Sequence, residues 1–90
     1  MSLRNQNQIR YYRIRRKLRL NDVALMVGYD AAAHISHWES GARLPSLASA
    51  LMLSAALKCP IEILFLEQFN QIRKEIYERQ QRHNIRLEYE

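Results

Sequence analysis

The sequence predicts an all-α fold. Glycine and proline are scarce, with two of each, and apolar residues recur at spacings of three and four. No β-rich run appears before the last six residues. Ninety residues make one small domain with room for an appendage. A domain this small buries only a modest share of its surface, so we expect oligomerisation to add stability.

The first three helices are predicted at about residues 5–17, 20–27 and 31–40. Apolar positions at helical spacing mark their inner faces. Gly28 and Gly41 follow the second and third helices, at positions where a helix end favours the left-handed conformation. The predicted buried residues of the first two helices are Ile9, Tyr12, Val23, Ala24 and Val27.

The later helices are bounded by the two prolines. Pro45 is predicted to open a fourth helix, because a missing N–H costs little in the first turn. Pro60 precedes a fifth helix, and a long polar helix is predicted at about 68–83. The tail "IRLEYE" is either a short strand or a frayed end. The predicted buried positions are Leu47, Ala50, Leu51, Ser54, Leu57, Ile61, Leu64 and Phe65.

The charge of the chain predicts an anionic partner. The net charge is +5 and the sequence pI is about 9.8, and arginine-rich segments bind phosphate well. Residues 1–20 hold seven basic residues and no acid, whereas residues 67–90 balance five of each. The excess therefore lies before residue 67. A solubilising surface without a partner is the competing interpretation.

Several function classes are disfavoured by what the sequence lacks. One cysteine, Cys59, allows neither an internal disulfide nor a multi-cysteine zinc site, and we expect it to be a small buried hydrophobe. Without a glycine-rich phosphate loop or paired carboxylates, we expect no enzyme and no cofactor. Without a signal peptide or a membrane-spanning apolar run, we expect a cytoplasmic protein.

The third predicted helix has an unusual outer face. At about 100° per residue, Ile35 and Trp38 point inward together. The opposite side and its flanks carry only small residues and imidazoles: Ala33, His34, Ser36, His37 and Ser40. Such a face can approach DNA closely, because alanine methyls meet thymine methyls and hydroxyl or imidazole groups reach base edges or phosphates.

Other interpretations of these side chains compete. His34 and His37 are spaced to share a metal ion, but a third ligand is missing, so we predict no metal site. Trp38 could stack on a base, although its alignment with Ile35 favours a core position. Tyr29 either touches the DNA backbone or packs over Gly28.

Glu39 lies on the inner side of the third helix without a charged neighbour there. A buried carboxylate needs a partner. Arg13, next to the core residue Tyr12, is the predicted one, so we expect an Arg13–Glu39 pair to join the first and third helices.

The chain from about residue 9 to 65 resembles the helix-turn-helix domain of the Cro and phage-repressor type, the XRE family. Five blocks in the same order carry the resemblance: "VALMVG", "HISHWESG", "RLPSL", "LMLSAAL" and "IEILF". The resemblance implies a five-helix lambda-repressor-like domain, here with an extra C-terminal helix. It also implies that the third helix lies in the major groove of double-stranded DNA.

The resemblance assigns roles to individual residues. Base contacts fall on Ala32, Ala33, Ser36 and His37, and backbone contacts on Asn21, His34, Ser40 and Arg43. Arg19, which departs from the family pattern, is expected to substitute as a backbone contact. The family's arginine–glutamate tie matches Arg13 and Glu39. Two features depart from the family. Arg19 and Leu20 replace a frequent serine or threonine and a phosphate-holding glutamine, and the turn after Gly28 is one residue longer.

Residues 1–66 are predicted to form the DNA-binding domain and residues 67–90 a helical extension. Two arrangements are open for the apolar residues of the extension, Phe69, Ile72 and Ile76. They either fold back on the core or, together with Phe65, form a coiled-coil contact between two copies of the chain (a dimer seam), which we favour. The predicted function is a sequence-specific transcriptional regulator, a repressor acting as a homodimer. The alternative is an antitoxin-like or other protein-interaction module that uses the C-terminal helix to bind a protein partner.

Overall fold

The computed structural model describes residues 6–88, which form six helices without a strand. The all-α prediction is therefore confirmed. The helices are α1 (Ile9–Arg15), α2 (Leu20–Met26), α3 (Ala33–Ser40), α4 (Leu47–Leu57), α5 (Ile61–Leu64) and α6 (Leu66–Arg82).

Four predicted helix starts differ from the observed ones, including that of α6, which begins at Leu66 and not at about residue 68. The predicted start of α1 at Asn5 lies outside the described residues, and the helix begins at Ile9. The start of α3 at Ala31 is two residues early, because the turn after Gly28 continues through Ala32. Pro45 does not open α4. Instead the Ser46 hydroxyl accepts a hydrogen bond from the Ser49 N–H and caps the helix there.

Helices α1 to α5 enclose one hydrophobic core. Gly28 and Gly41 have φ of +83° and +82°, so both end their helices in the predicted left-handed conformation. Cys59 is buried, and burial raises the pKa of its thiol, which keeps the thiol protonated at neutral pH. The core residues are Ile9, Val23, Ala24, Val27, Ile35, Trp38, Leu53, Leu57, Cys59 and Leu64.

The predicted inner face of α4 is partly wrong. Leu47 and Leu51 are 72% and 52% exposed, whereas Leu53 and Ser49 are buried. The sequence misleads because α4 is apolar all round, so apolar spacing does not identify the buried side. Ser49 lies inside because its hydroxyl bonds the Tyr29 hydroxyl at 2.9 Å.

Helix α6 follows α5 after a single non-helical residue, Phe65. Its first turns are attached to the domain, since the Gln68 amide donates to the Gln6 carbonyl. Further along, Phe69, Ile72 and Ile76 remain 42%, 39% and 54% exposed. The described chain therefore does not fold these residues back onto its own core.

Residues 85–88 are not a strand. Asn84 adopts φ of +53°, and the Ile85 N–H donates to the Gln80 carbonyl, so the chain reverses after α6. Residues 89–90 of the tail lie outside the described residues. Among residues 6–88, no helix is both long enough and apolar enough to span a membrane.

Candidate nucleic-acid interface

Helix α3 is fixed from its inner side. Ile35 and Trp38 are buried, and the Tyr29 ring meets the Trp38 ring edge-on at 5.3 Å. The Asn7 side-chain amide donates to the Trp38 carbonyl at 2.7 Å, which ties the end of α3 to the start of α1. Trp38 is thus a core anchor and does not offer its ring to a base.

Arg13 and Glu39 form the ion pair that the sequence predicts. The guanidinium donates through Nε to Glu39 Oε2 at 2.6 Å and through Nη2 to Oε1 at 3.1 Å. A third bond goes from Nη1 to the Leu18 carbonyl at 3.0 Å. The side chains are only 13% and 8% exposed. This bidentate pair sets the orientation of α3 relative to α1.

The outer face of α3 is small and uncharged. Ala33 and His37 lie at its centre, and Ser36 and Ser40 lie on the flank toward α1 and α2; all four are exposed. Ala32 stands one position before the helix and is half-buried. The longer turn therefore leaves Ala32 outside the helix to which the resemblance assigned it.

His34 lies on the other flank of α3, where it packs against an aromatic neighbour. Its ring centroid is 4.6 Å from that of Tyr29, whose hydroxyl bonds Ser49. Tyr29 therefore packs inward against Trp38 and Ser49, a position that neither of its two sequence-based interpretations describes. The two rings are tilted by 38° relative to each other, and this contact places His34 at the edge of the face.

The start of α2 places Arg19 against Asp22. The Arg19 guanidinium donates to both Asp22 oxygens, at 3.2 and 3.0 Å, and the Arg19 backbone N–H donates at 2.8 Å. These bonds lower the pKa of Asp22, the guanidinium contributing most. Arg19 thus helps to cap α2 through its backbone. Its guanidinium is largely exposed, but it is already paired. Asn21 is exposed beside it.

Not all of the basic residues predicted from the charge pattern are available to a partner. Arg13 is held by Glu39. Arg16 caps the end of α4, donating to the carbonyls of Leu57 at 3.0 Å and Lys58 at 3.2 Å. Arg13 and Arg16 thus serve the fold, and Arg19 is paired with Asp22.

Sequence reasoning missed one residue beside the face. Arg10 lines a cleft of about 300 Å³ between α1, α2 and α3. Its spacing gave only a partial signal: Arg10 lies three residues before Arg13 on the same side of α1, but Arg16 lies three residues after Arg13 and caps α4 instead. Arg43 is exposed beyond the C-terminal end of α3.

A family model described as helix-turn-helix matches residues 9–64, which run from the first residue of α1 to the last of α5. No curated protein gives a significant match to the chain. The matched span contains α2 and α3, joined by residues 27–32, with α3 presenting an outer face free of charged residues. The chain belongs to the Cro/C1-type helix-turn-helix family, the XRE family.

Proposed function

We propose that the protein is a sequence-specific repressor that reads the DNA major groove with α3. The observation that carries this proposal is the outer face of α3, which is exposed yet has neither a charged nor a large apolar side chain. A helix face exposed only to water more often carries lysine and glutamate. The matched family consists of DNA-binding regulators. A repressor is a regulator that blocks access to its DNA site when it is bound there.

The two kinds of contact fall on different parts of the interface. At the centre of the face, Ala33 and His37 are the residues that this proposal assigns to base edges. Arg43, Asn21 and Ser40 surround the face and are assigned to the sugar-phosphate backbone. His34 and Arg19 are weaker backbone contacts, because His34 packs on Tyr29 and Arg19 is paired with Asp22. Ala32 contributes little, since it lies before the helix.

We further propose that the active form is a dimer through α6. The exposed residues Phe69, Ile72 and Ile76 follow a spacing of three and four along one side of the helix. Such an isologous seam presents the same stripe from both copies. Two α3 helices would then read half-sites roughly 34 Å apart, one turn of DNA.

Substituting Arg43 with alanine tests the DNA-binding proposal. We expect Arg43→Ala to weaken binding to every duplex by about tenfold at 0.1 M salt, because one charge-assisted phosphate contact is lost. The slope of log affinity against log salt should become shallower by about 0.9. Fluorescence anisotropy with a labelled duplex measures both quantities.

The matched control for Arg43→Ala is Arg86→Ala, which removes the same charge from an exposed position in the C-terminal tail. Its affinity and salt slope should stay close to those of the parent. Equal losses in both variants would mean that DNA responds only to net charge, which would contradict a defined interface around α3.

A second candidate function rests on the exposed α6 stripe, which an antitoxin-like or other interaction module would use to bind a different protein. The two candidates differ in what they require. An interaction module without DNA binding would keep its activity in Arg43→Ala, whereas Ile76→Glu would abolish partner binding. The regulator loses DNA affinity in both variants.

A further inference from the structure

A cleft lies along the flank of α3 that faces α1. Its walls come from three helices, and its volume is about 300 Å³. The residues lining it are Arg10, Arg13, Leu20, Ser36, Glu39 and Ser40. Two of them, Ser36 and Ser40, also belong to the exposed side of α3, so the cleft opens directly beside the proposed reading face.

The charge within this cleft is not balanced. Glu39 is bound by Arg13 through two hydrogen bonds, so these two charges offset each other. Arg10 is exposed and has neither an ion pair nor a side-chain hydrogen bond within residues 6–88. The cleft therefore carries one uncompensated guanidinium, which has donors suited to an oxyanion.

The hydroxyls of the cleft differ in availability. The Ser40 hydroxyl donates to the His37 carbonyl and accepts from the Ala42 N–H, so it already has two partners. The Ser36 hydroxyl makes no hydrogen bond within the described part of the chain. Arg10 and Ser36 are thus the two unused donors that line this cleft.

The position of the cleft indicates which part of DNA would meet it. The major groove is about 12 Å wide, and a helix with its side chains has a diameter of about 10–12 Å. A helix that fills the groove presents its centre to the bases and its flanks to the sugar-phosphate walls. The cleft lies on such a flank, whereas Ala33 and His37 lie at the centre.

We propose that this cleft binds one DNA phosphate, with the Arg10 guanidinium and the Ser36 hydroxyl as donors. The inference rests on the proposed DNA-binding function and adds a contact to it. It also moves Ser36 from the base-reading group to the backbone group. Arg10 then contributes equally to the binding of every DNA sequence, because a phosphate is the same beside every base.

The test compares Arg10→Ala, Arg10→Lys and Arg15→Ala by anisotropy titration, on a duplex selected by the parent and on an unrelated duplex. Arg10→Ala should weaken binding to both duplexes by a similar factor, about tenfold or more, with a salt slope shallower by about 0.9. Arg10→Lys keeps the positive charge, so its salt slope should stay close to that of the parent. Arg15→Ala removes the same charge five residues along α1, about 140° away, and should change little.

Each other outcome has a defined meaning. If Arg10→Ala behaves like Arg15→Ala while the parent still binds its selected duplex, the phosphate site is wrong and the proposed function stands. A change in preferred bases in Arg10→Ala would also overturn the assignment, because Arg10 would then read sequence. If the parent binds no duplex, both the function and this site fail. Thermal melts monitored by circular dichroism verify that all variants are folded.

Discussion

Glu39→Gln is expected to lower the free energy of unfolding by about 3 kcal/mol. The substitution keeps the shape of the side chain but removes the negative charge facing Arg13, whose side chain is only 13% exposed. A guanidinium that is mostly withdrawn from water then lacks its counter-charge. Because small domains are only marginally stable, this loss is a large fraction of the total. Urea unfolding followed by circular dichroism measures it.

The control for this substitution is Glu62→Gln, at an exposed position on α5, which should cost less than about 0.5 kcal/mol. The effect should also be coupled to Arg13. When Arg13→Gln is already present, Glu39→Gln should cost much less than it does alone. If Glu39→Gln unfolds at the same urea concentration as the parent, the pair does not hold α3 in place.

Ile76→Glu is expected to convert the proposed dimer into a monomer. It places a carboxylate in the α6 stripe, where a second copy would bury it without a partner. The monomer fold should be preserved, since Ile76 is 54% exposed. Affinity for a two-half-site duplex should fall by at least about 100-fold, because the two α3 helices no longer bind as a unit. Sedimentation equilibrium and anisotropy measure the two effects.

Gln81→Glu is a matched control for Ile76→Glu. It introduces the same charge on an exposed position of α6, five residues along and about 140° around the helix. This variant should remain a dimer. If the parent itself sediments as a monomer at micromolar concentration, or if Ile76→Glu still dimerises, the α6 seam is not the interface.

The sequence predicts the buried residues and the end of α2 well. Val23 and Ala24 are buried within the helix, Val27 is buried at its C-cap, and Gly28 follows in the left-handed conformation. Helix α4 has no such local marker of its inner side, which depends on a tertiary contact that no local pattern shows, the bond between Tyr29 and Ser49.

At the candidate site, the requirement that a buried carboxylate has a partner predicted more than the number of basic residues did. An inward carboxylate on α3 required a partner, and Arg13 is its partner in the structure. The basic N-terminal segment, in contrast, gave no way to separate Arg16, which caps α4, from Arg10, which lines the cleft. That distinction depends on how α1 packs against α3 and α4, which composition does not encode.

The most direct test of the central claim is selection from a random duplex pool by the parent and by His37→Ala. If α3 reads the major groove, the parent should enrich an inverted repeat with half-site centres about one helical turn apart. His37→Ala should change the preference at one or two base pairs of each half-site while leaving the repeat spacing intact. Weak, steeply salt-dependent binding without an enriched motif, or the same motif from both proteins, would contradict the claim.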